Sequence, residues 1–247
     1  MRKPKTVAPG KLVSVNGHKM HVFSEGQGNK TFIFMSGSGT ACPTLDFKPL
    51  WSLLSNKHKI VVVEKAGYGW SESTSSPRDI DTILSETREA LKLAEIEAPY
   101  FLIPHSFSGL EALYWSQKYP SEVKGIIGLD SAIPKAYEIG KLPPKFIMKI
   151  LNMIGAFSDD MVNESNFVKE NANKVKNLPL PVDTPIYFFL SNGKGLLGIK
   201  NWEEMMINFL SDFKVGKHMS LGCGHYVHRY EAKKIATEIN AFVSSIV

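Results

Sequence analysis

Apolar positions divide the chain into short strand-like runs and longer helix-like ones. Residues 31–35 (TFIFM), 59–63 (KIVVV), 100–103 (YFLI), 123–129 (VKGIIGL) and 186–190 (IYFFL) are nearly continuous apolar stretches. Their length and composition fit strands covered on both faces. Near the N-terminus, apolar residues at Leu12–Val15 and His21–Phe23 flank Asn16-Gly17, which predicts a hairpin. Between the strands the spacing turns helical. Over 79–94, Ile80, Ile83, Leu84, Thr87, Leu91 and Ala94 share one side, and further helices are expected near 45–54, 108–118, 201–211 and 229–246. A short strand near 217–221 precedes the last of these.

Strands alternating with helices predict an α/β fold with a doubly wound, mostly parallel sheet. The alternation breaks after residue 130. Residues 134–181 are rich in proline, methionine and asparagine and carry two amphipathic segments. One runs from Pro143 to Phe157, with Phe146, Ile147, Ile150, Leu151, Ile154 and Phe157 apolar; the other covers about 159–178, with Met161, Val168, Ala172 and Val175 at helical spacing. The expected organisation is a core of residues 1–133 and 182–247, with 134–181 as a helical cap. Ligands of such sheets bind at the carboxyl ends of the strands, beneath an insertion of this kind.

Composition removes several classes of function. The 247 residues carry a formal net charge of +5, with lysines spread along the chain. Nucleic-acid binding needs a concentrated basic face, and none is present. Cys42 and Cys223 are the only cysteines and form no Cys-x-x-Cys or Cys/His cluster, so neither a metal nor another cofactor is expected. No apolar stretch approaches the ~20 residues that span a bilayer, so stable membrane insertion is not expected. The first ten residues, MRKPKTVAPG, are basic without the apolar segment of a signal peptide, and the expected location is the cytoplasm.

Candidate chemistry centres on Pro104-His105-Ser106-Phe107-Ser108-Gly109, between the strand 100–103 and the helix 108–118. A strand, a tight turn and a helix with a serine at the apex hold the hydroxyl out at the end of a sheet. The N–H groups of the helix start then point at any negative charge that forms beside it. Ser106 is the candidate nucleophile. Ser108 fits less well, because Leu110 would occupy the small position that a tight turn requires two residues later.

Four motifs occur in order: Ser36-Gly37-Ser38-Gly39, Gly67-Tyr68-Gly69-Trp70-Ser71, Pro104–Gly109 and Gly222-Cys223-Gly224-His225. In this order and on this pattern of elements, the chain resembles the α/β-hydrolase fold family from about residue 11 to the C-terminus. The resemblance implies a serine hydrolase of the carboxylesterase kind acting through an acyl-enzyme on a small-molecule acyl substrate, and the apolar faces of 134–181 suggest a small or medium hydrophobic acyl group. It implies His225 as base and, as oxyanion donors, the N–H groups of Ser38 and Phe107. Pro104 and Ser108 stand where the family usually has glycine, and Ser36 where it often has histidine. The family's acid often follows the strand corresponding to 186–190, where this chain has Ser191-Asn192-Gly193-Lys194-Gly195. Some related enzymes place it instead after the preceding strand, which here is Asp130; Glu203, Glu204 and Asn192 are the alternatives. His105 is expected to pack, and His228 to lie at the surface or cap a helix. His18, His21, His58 and His218 have no chemical context, and the Gly67–Ser71 turn is expected to be structural. Serine at the turn argues against a dehalogenase or epoxide hydrolase. Other chemistry on the same scaffold, cleaving a carbon–carbon bond, thioester or peptide, remains open, as does a non-catalytic binding module.

Overall fold

The computed structural model of the protein describes residues 4, 6–141, 143–193 and 199–246, with Lys145 described by its backbone. Eight strands form one sheet: β1 (Lys11–Val15), β2 (His18–Glu25), β3 (Thr31–Met35), β4 (Lys59–Glu64), β5 (Tyr100–Pro104), β6 (Val123–Leu129), β7 (Ile186–Leu190) and β8 (Gly216–Ser220), in the order β1-β2-β4-β3-β5-β6-β7-β8. β1 and β2 are the expected hairpin and pair antiparallel, with Asn16 and Gly17 both at positive φ in the turn. β2 joins β4 antiparallel, and every pairing from β4 to β8 is parallel. All carboxyl ends of β3 to β8 therefore open on the same side.

Among the described residues there are ten α-helices: α1 (Pro43–Asp46), α2 (Lys48–Leu54), α3 (Ile80–Leu93), α4 (Ser108–Lys118), α5 (Pro134–Ile139), α6 (Lys145–Met153), α7 (Asp159–Lys176), α8 (Trp202–Leu210), α9 (Val227–Tyr230) and α10 (Ala232–Ser245). The single helix expected over 45–54 is divided because Pro43 and Pro49 each occupy a first turn, where the missing N–H costs no bond. The last expected helix likewise breaks at Glu231.

Side chains alternate across the sheet and feed two cores. Ile33, Val61, Leu102, Ile126 and Phe188 face the layer that contains Leu84, Leu113, Trp115 and Met206. Phe32, Phe34, Val62, Ile103 and Phe189 face Leu50, Leu54, Ile235 and Ile239 on the other side. The central strands are thus covered on both faces, which accounts for their continuous apolar sequence. β8 is largely exposed and carries Lys217 and His218, the polar edge that discourages further strand pairing.

α5, α6 and α7 lie between β6 and β7 in the chain. The first and last are tied to the core by apolar packing of Ala136, Val168, Ala172 and Val175. A buried ionic cluster adds to this. Lys65, just after β4, lies 2.8 Å from Glu111 of α4 and also bonds Glu164 of α7, which in turn accepts from the Tyr68 hydroxyl. Burial opposes the ammonium, but the two carboxylates outweigh it and hold the Lys65 pKa above its ordinary value. Removing one member of such a group strands the others without a partner. Lys65→Ala is therefore expected to destabilise the protein by about 3–5 kcal/mol in urea denaturation, far more than removal of an exposed lysine.

Candidate active site

The turn after β5 is fixed by its backbone. His105 forms a bridge with Leu129 of β6, Ser106 has φ 55°, and α4 begins at Ser108. Left-handed backbone at a serine is uncommon and is held here by its surroundings. The Ser106 carbonyl accepts from Ala132 N at 2.8 Å and Gly109 N at 3.0 Å. Neighbouring glycines permit the close approach: a Cβ at Gly109 would lie 2.2 Å from the Ala132 carbonyl oxygen, and one at Gly37 2.7 Å from Ser106 Cβ. Ser108 is fully buried; its hydroxyl bonds the Met35 carbonyl at 2.7 Å and accepts from His105 N at 3.0 Å. It secures the turn, whereas Ser106 is partly exposed. Pro104 ends β5, and its carbonyl accepts from the Ser131 hydroxyl at 2.6 Å.

Asp130 follows β6 with φ 47° and is completely buried. Its Oδ1 accepts from Ser191 N at 2.9 Å and from the Trp202 indole N–H at 2.8 Å. Its Oδ2 lies 2.7 Å from His225 Nδ1. A carboxylate only accepts, so Nδ1 carries a proton and donates it to Asp130. Neither Ser191 nor Trp202 was expected in this role. The only sequence clue is that a buried carboxylate must find donors. Glu203 accepts from the Ser220 hydroxyl and Glu204 from Asn201, while Asn192 N donates to the Cys223 carbonyl. Lys194 and Gly195 lie outside the described residues.

His225 rests on a second imidazole. The His105 ring is 4.6 Å from that of His225, 4.7 Å from His228 and 5.2 Å from Tyr226, and its Nε2 is 3.3 Å from the His225 carbonyl oxygen. Burial first, and then nearby cationic groups, hold the His105 pKa well below its ordinary value. His228 corrects an expectation: it is fully buried and bonds Asp46 at 2.9 Å, with Arg229 on the same carboxylate. This clamp joins α9 to α1 directly behind the His225 loop. Burial lowers the His228 pKa despite Asp46.

Ser38 and Phe107 line a cavity of about 590 Å³ together with Ser106. Tyr137, Pro143, Pro144, Met148, Phe157 and Val168 form its apolar wall. Phe107 is the N-cap residue of α4, next to the first-turn N–H groups that have no carbonyl partner within the helix. The Gly67–Ser71 turn wraps the Glu64 carboxylate, which accepts from Trp70 N at 2.8 Å and faces His21 at 3.0 Å. His58 bonds Asn240 at 2.8 Å. Cys42 and Cys223 are both free. Burial pushes the Cys42 thiol up to about 12, which keeps it unreactive. Among the described residues, no group of three or more His, Cys, Asp or Glu could hold a metal ion.

No family model matches the chain. Uncharacterized protein YbdG of Bacillus subtilis is 35% identical over 270 residues, covering 92% of this chain and 83% of its own. The haloalkane dehalogenase DbeA from Bradyrhizobium elkani superposes with a TM-score of 0.73 at 13% identity, covering 96% of this chain and 97% of that one. The enol-lactonase from Burkholderia xenovorans does so with a TM-score of 0.70 at 14% identity, covering 95% and 100%. The chain belongs to one family with YbdG, and its fold is that of the α/β-hydrolases. At such low identity the two solved structures speak to the fold alone, and the fold agrees with the sheet order and the helices on both faces.

The buried imidazoles make stability depend on pH. With His105 and His228 held below their unfolded-state values, the unfolded chain takes up protons first as pH falls. Their contribution is complete above the ordinary histidine value of about 6.5 and is lost progressively below it. Urea denaturation across that range is expected to show stability falling with acid, and His105→Asn to make the fall shallower. Equal slopes in both proteins would contradict this.

Proposed function

We propose that the protein is a serine hydrolase that cleaves an ester or related acyl substrate through an acyl-enzyme. The reading rests above all on one contact, the 2.7 Å approach of Asp130 Oδ2 to His225 Nδ1. It orients a neutral imidazole whose other nitrogen can accept a proton.

In this mechanism Ser106 Oγ attacks the substrate carbonyl carbon while His225 Nε2 takes the hydroxyl proton. The imidazolium is stabilised by the Asp130 carboxylate, which the Ser191 and Trp202 donors hold in place. Negative charge on the carbonyl oxygen is met by the Ser38 and Phe107 N–H groups. Collapse of the tetrahedral intermediate breaks the bond to the leaving group, which departs with the proton from His225. Water then attacks the acyl-enzyme by the same route and restores Ser106. Residues 134–181 act as the cap, and Tyr137, Met148, Phe157 and Val168 contact an apolar acyl chain.

A fluorophosphonate probe is expected to label the wild-type protein and not Ser106→Ala. Asp130→Asn is expected to lower kcat by about 10³–10⁴, because the amide favours the wrong imidazole tautomer. Absence of labelling in the wild type would sink the hydrolase reading, and full activity of Asp130→Asn would remove Asp130 from it. With p-nitrophenyl esters of increasing length, kcat/KM should rise until the 590 Å³ cavity is filled and then fall. Met148→Trp should move that maximum to shorter chains.

A further inference from the structure

α6 is apolar on two opposite sides. Met148 turns inward, is almost wholly buried and lines the cavity. On the other side Phe146 is 63% exposed, Ile150 50%, Met153 84% and Ile154 71%, with Ile147 beside them at 37%. At 100° per residue these side chains fall within one arc of the helix and its C-terminal cap, so they form a contiguous patch rather than scattered exposed residues. Ile139, at the end of α5, is also 55% exposed. Among the described residues, nothing covers this face.

The sequence around the patch is charged in one sense. Residues 141–157 include Lys141, Lys145 and Lys149 and contain no aspartate or glutamate. Glu138, the nearest preceding acid, is paired with Lys176 at 2.6 Å, and Asp159, the nearest following one, accepts from Asn152 at 2.9 Å. A large aliphatic and aromatic face bordered by lysines is the composition of a helix that lies in the plane of a lipid interface. A second copy of the chain is disfavoured, because a two-fold pairing would set this lysine border against itself. Among the described residues, no helix is long and apolar enough to cross a membrane, so attachment through this face is peripheral.

We propose that the exposed face of α6 docks the protein on an anionic lipid surface. The apolar side chains enter the headgroup boundary and Lys141 and Lys149, both exposed, meet the negative charge. Pro143, Pro144 and Met148 also line the cavity, so docking places its wall against the lipid. The attachment needs no turnover and is independent of the reading of Ser106.

The test is co-sedimentation of the full chain with vesicles of phosphatidylcholine, alone or with roughly one-third phosphatidylglycerol. Binding to the anionic vesicles is expected at low ionic strength and should weaken sharply in about 0.5 M salt. Lys149→Glu should reduce partitioning at least about fivefold. The double variant Phe146→Ser/Ile150→Ser should reduce it about tenfold or more. Because these side chains are exposed, thermal melts of the variants should match the wild type. Equal binding to neutral vesicles, or no binding to either, overturns the proposal. So does a dimer in analytical ultracentrifugation that Ile150→Glu dissolves, since that outcome assigns the face to a second copy. Loss of fluorophosphonate labelling with vesicle binding intact would count against the hydrolase reading alone.

Discussion

The candidate site is organised by the burial of one carboxylate. Asp130 has no exposure to solvent, and an isolated charge in that position would cost several kcal/mol. Its three partners come from the ends of separate elements: Ser191 after β7, Trp202 at the start of α8, and His225 in the loop after β8. Satisfying one side chain thus fixes the relative positions of half the loops on this side of the sheet. The left-handed backbone at Asp130 is held by the same arrangement. Asp130 N also donates to the Phe189 carbonyl at 2.8 Å, extending the β6–β7 ladder to the edge of the site.

The close packing around Ser106 is the second constraint. The serine packs against the Gly37 backbone, and Gly109, three residues on, packs against Ala132 after Asp130; both contacts require the absence of a side chain. The turn and the carboxylate are therefore not independent. Ala132, two residues after Asp130, donates to the Ser106 carbonyl, so a shift in either is transmitted to the other.

Much of this was legible in sequence for physical reasons that can be named. β3 to β7 are covered on both faces, and that burial demands the continuous apolar runs by which they were located. Ser106 was marked by the strand–turn–helix pattern around it. Asp130 and His225, 95 positions apart, could be linked only through family resemblance, because spacing along the chain carries no distance between loops. Trp202 and Ser191 left no signal. One donates through a side chain indistinguishable from a core residue, and the other through its backbone. His228 was misread for a related reason: its partner, Asp46, lies 182 positions away, and nothing local distinguishes a buried imidazole from an exposed one.

The Lys65 cluster also bears on how a molecule enters and leaves the cavity. α7 is moored to the sheet by charges with no access to water, and lifting it would separate Lys65 from Glu164. α6 packs on α7 and, among the described residues, has no such anchor. Gly155, at positive φ with open space around it, lies in the short link between the two helices. The less costly wall to displace is therefore α6. The Lys65 mooring keeps the opposite wall in register with the turn that holds Ser106.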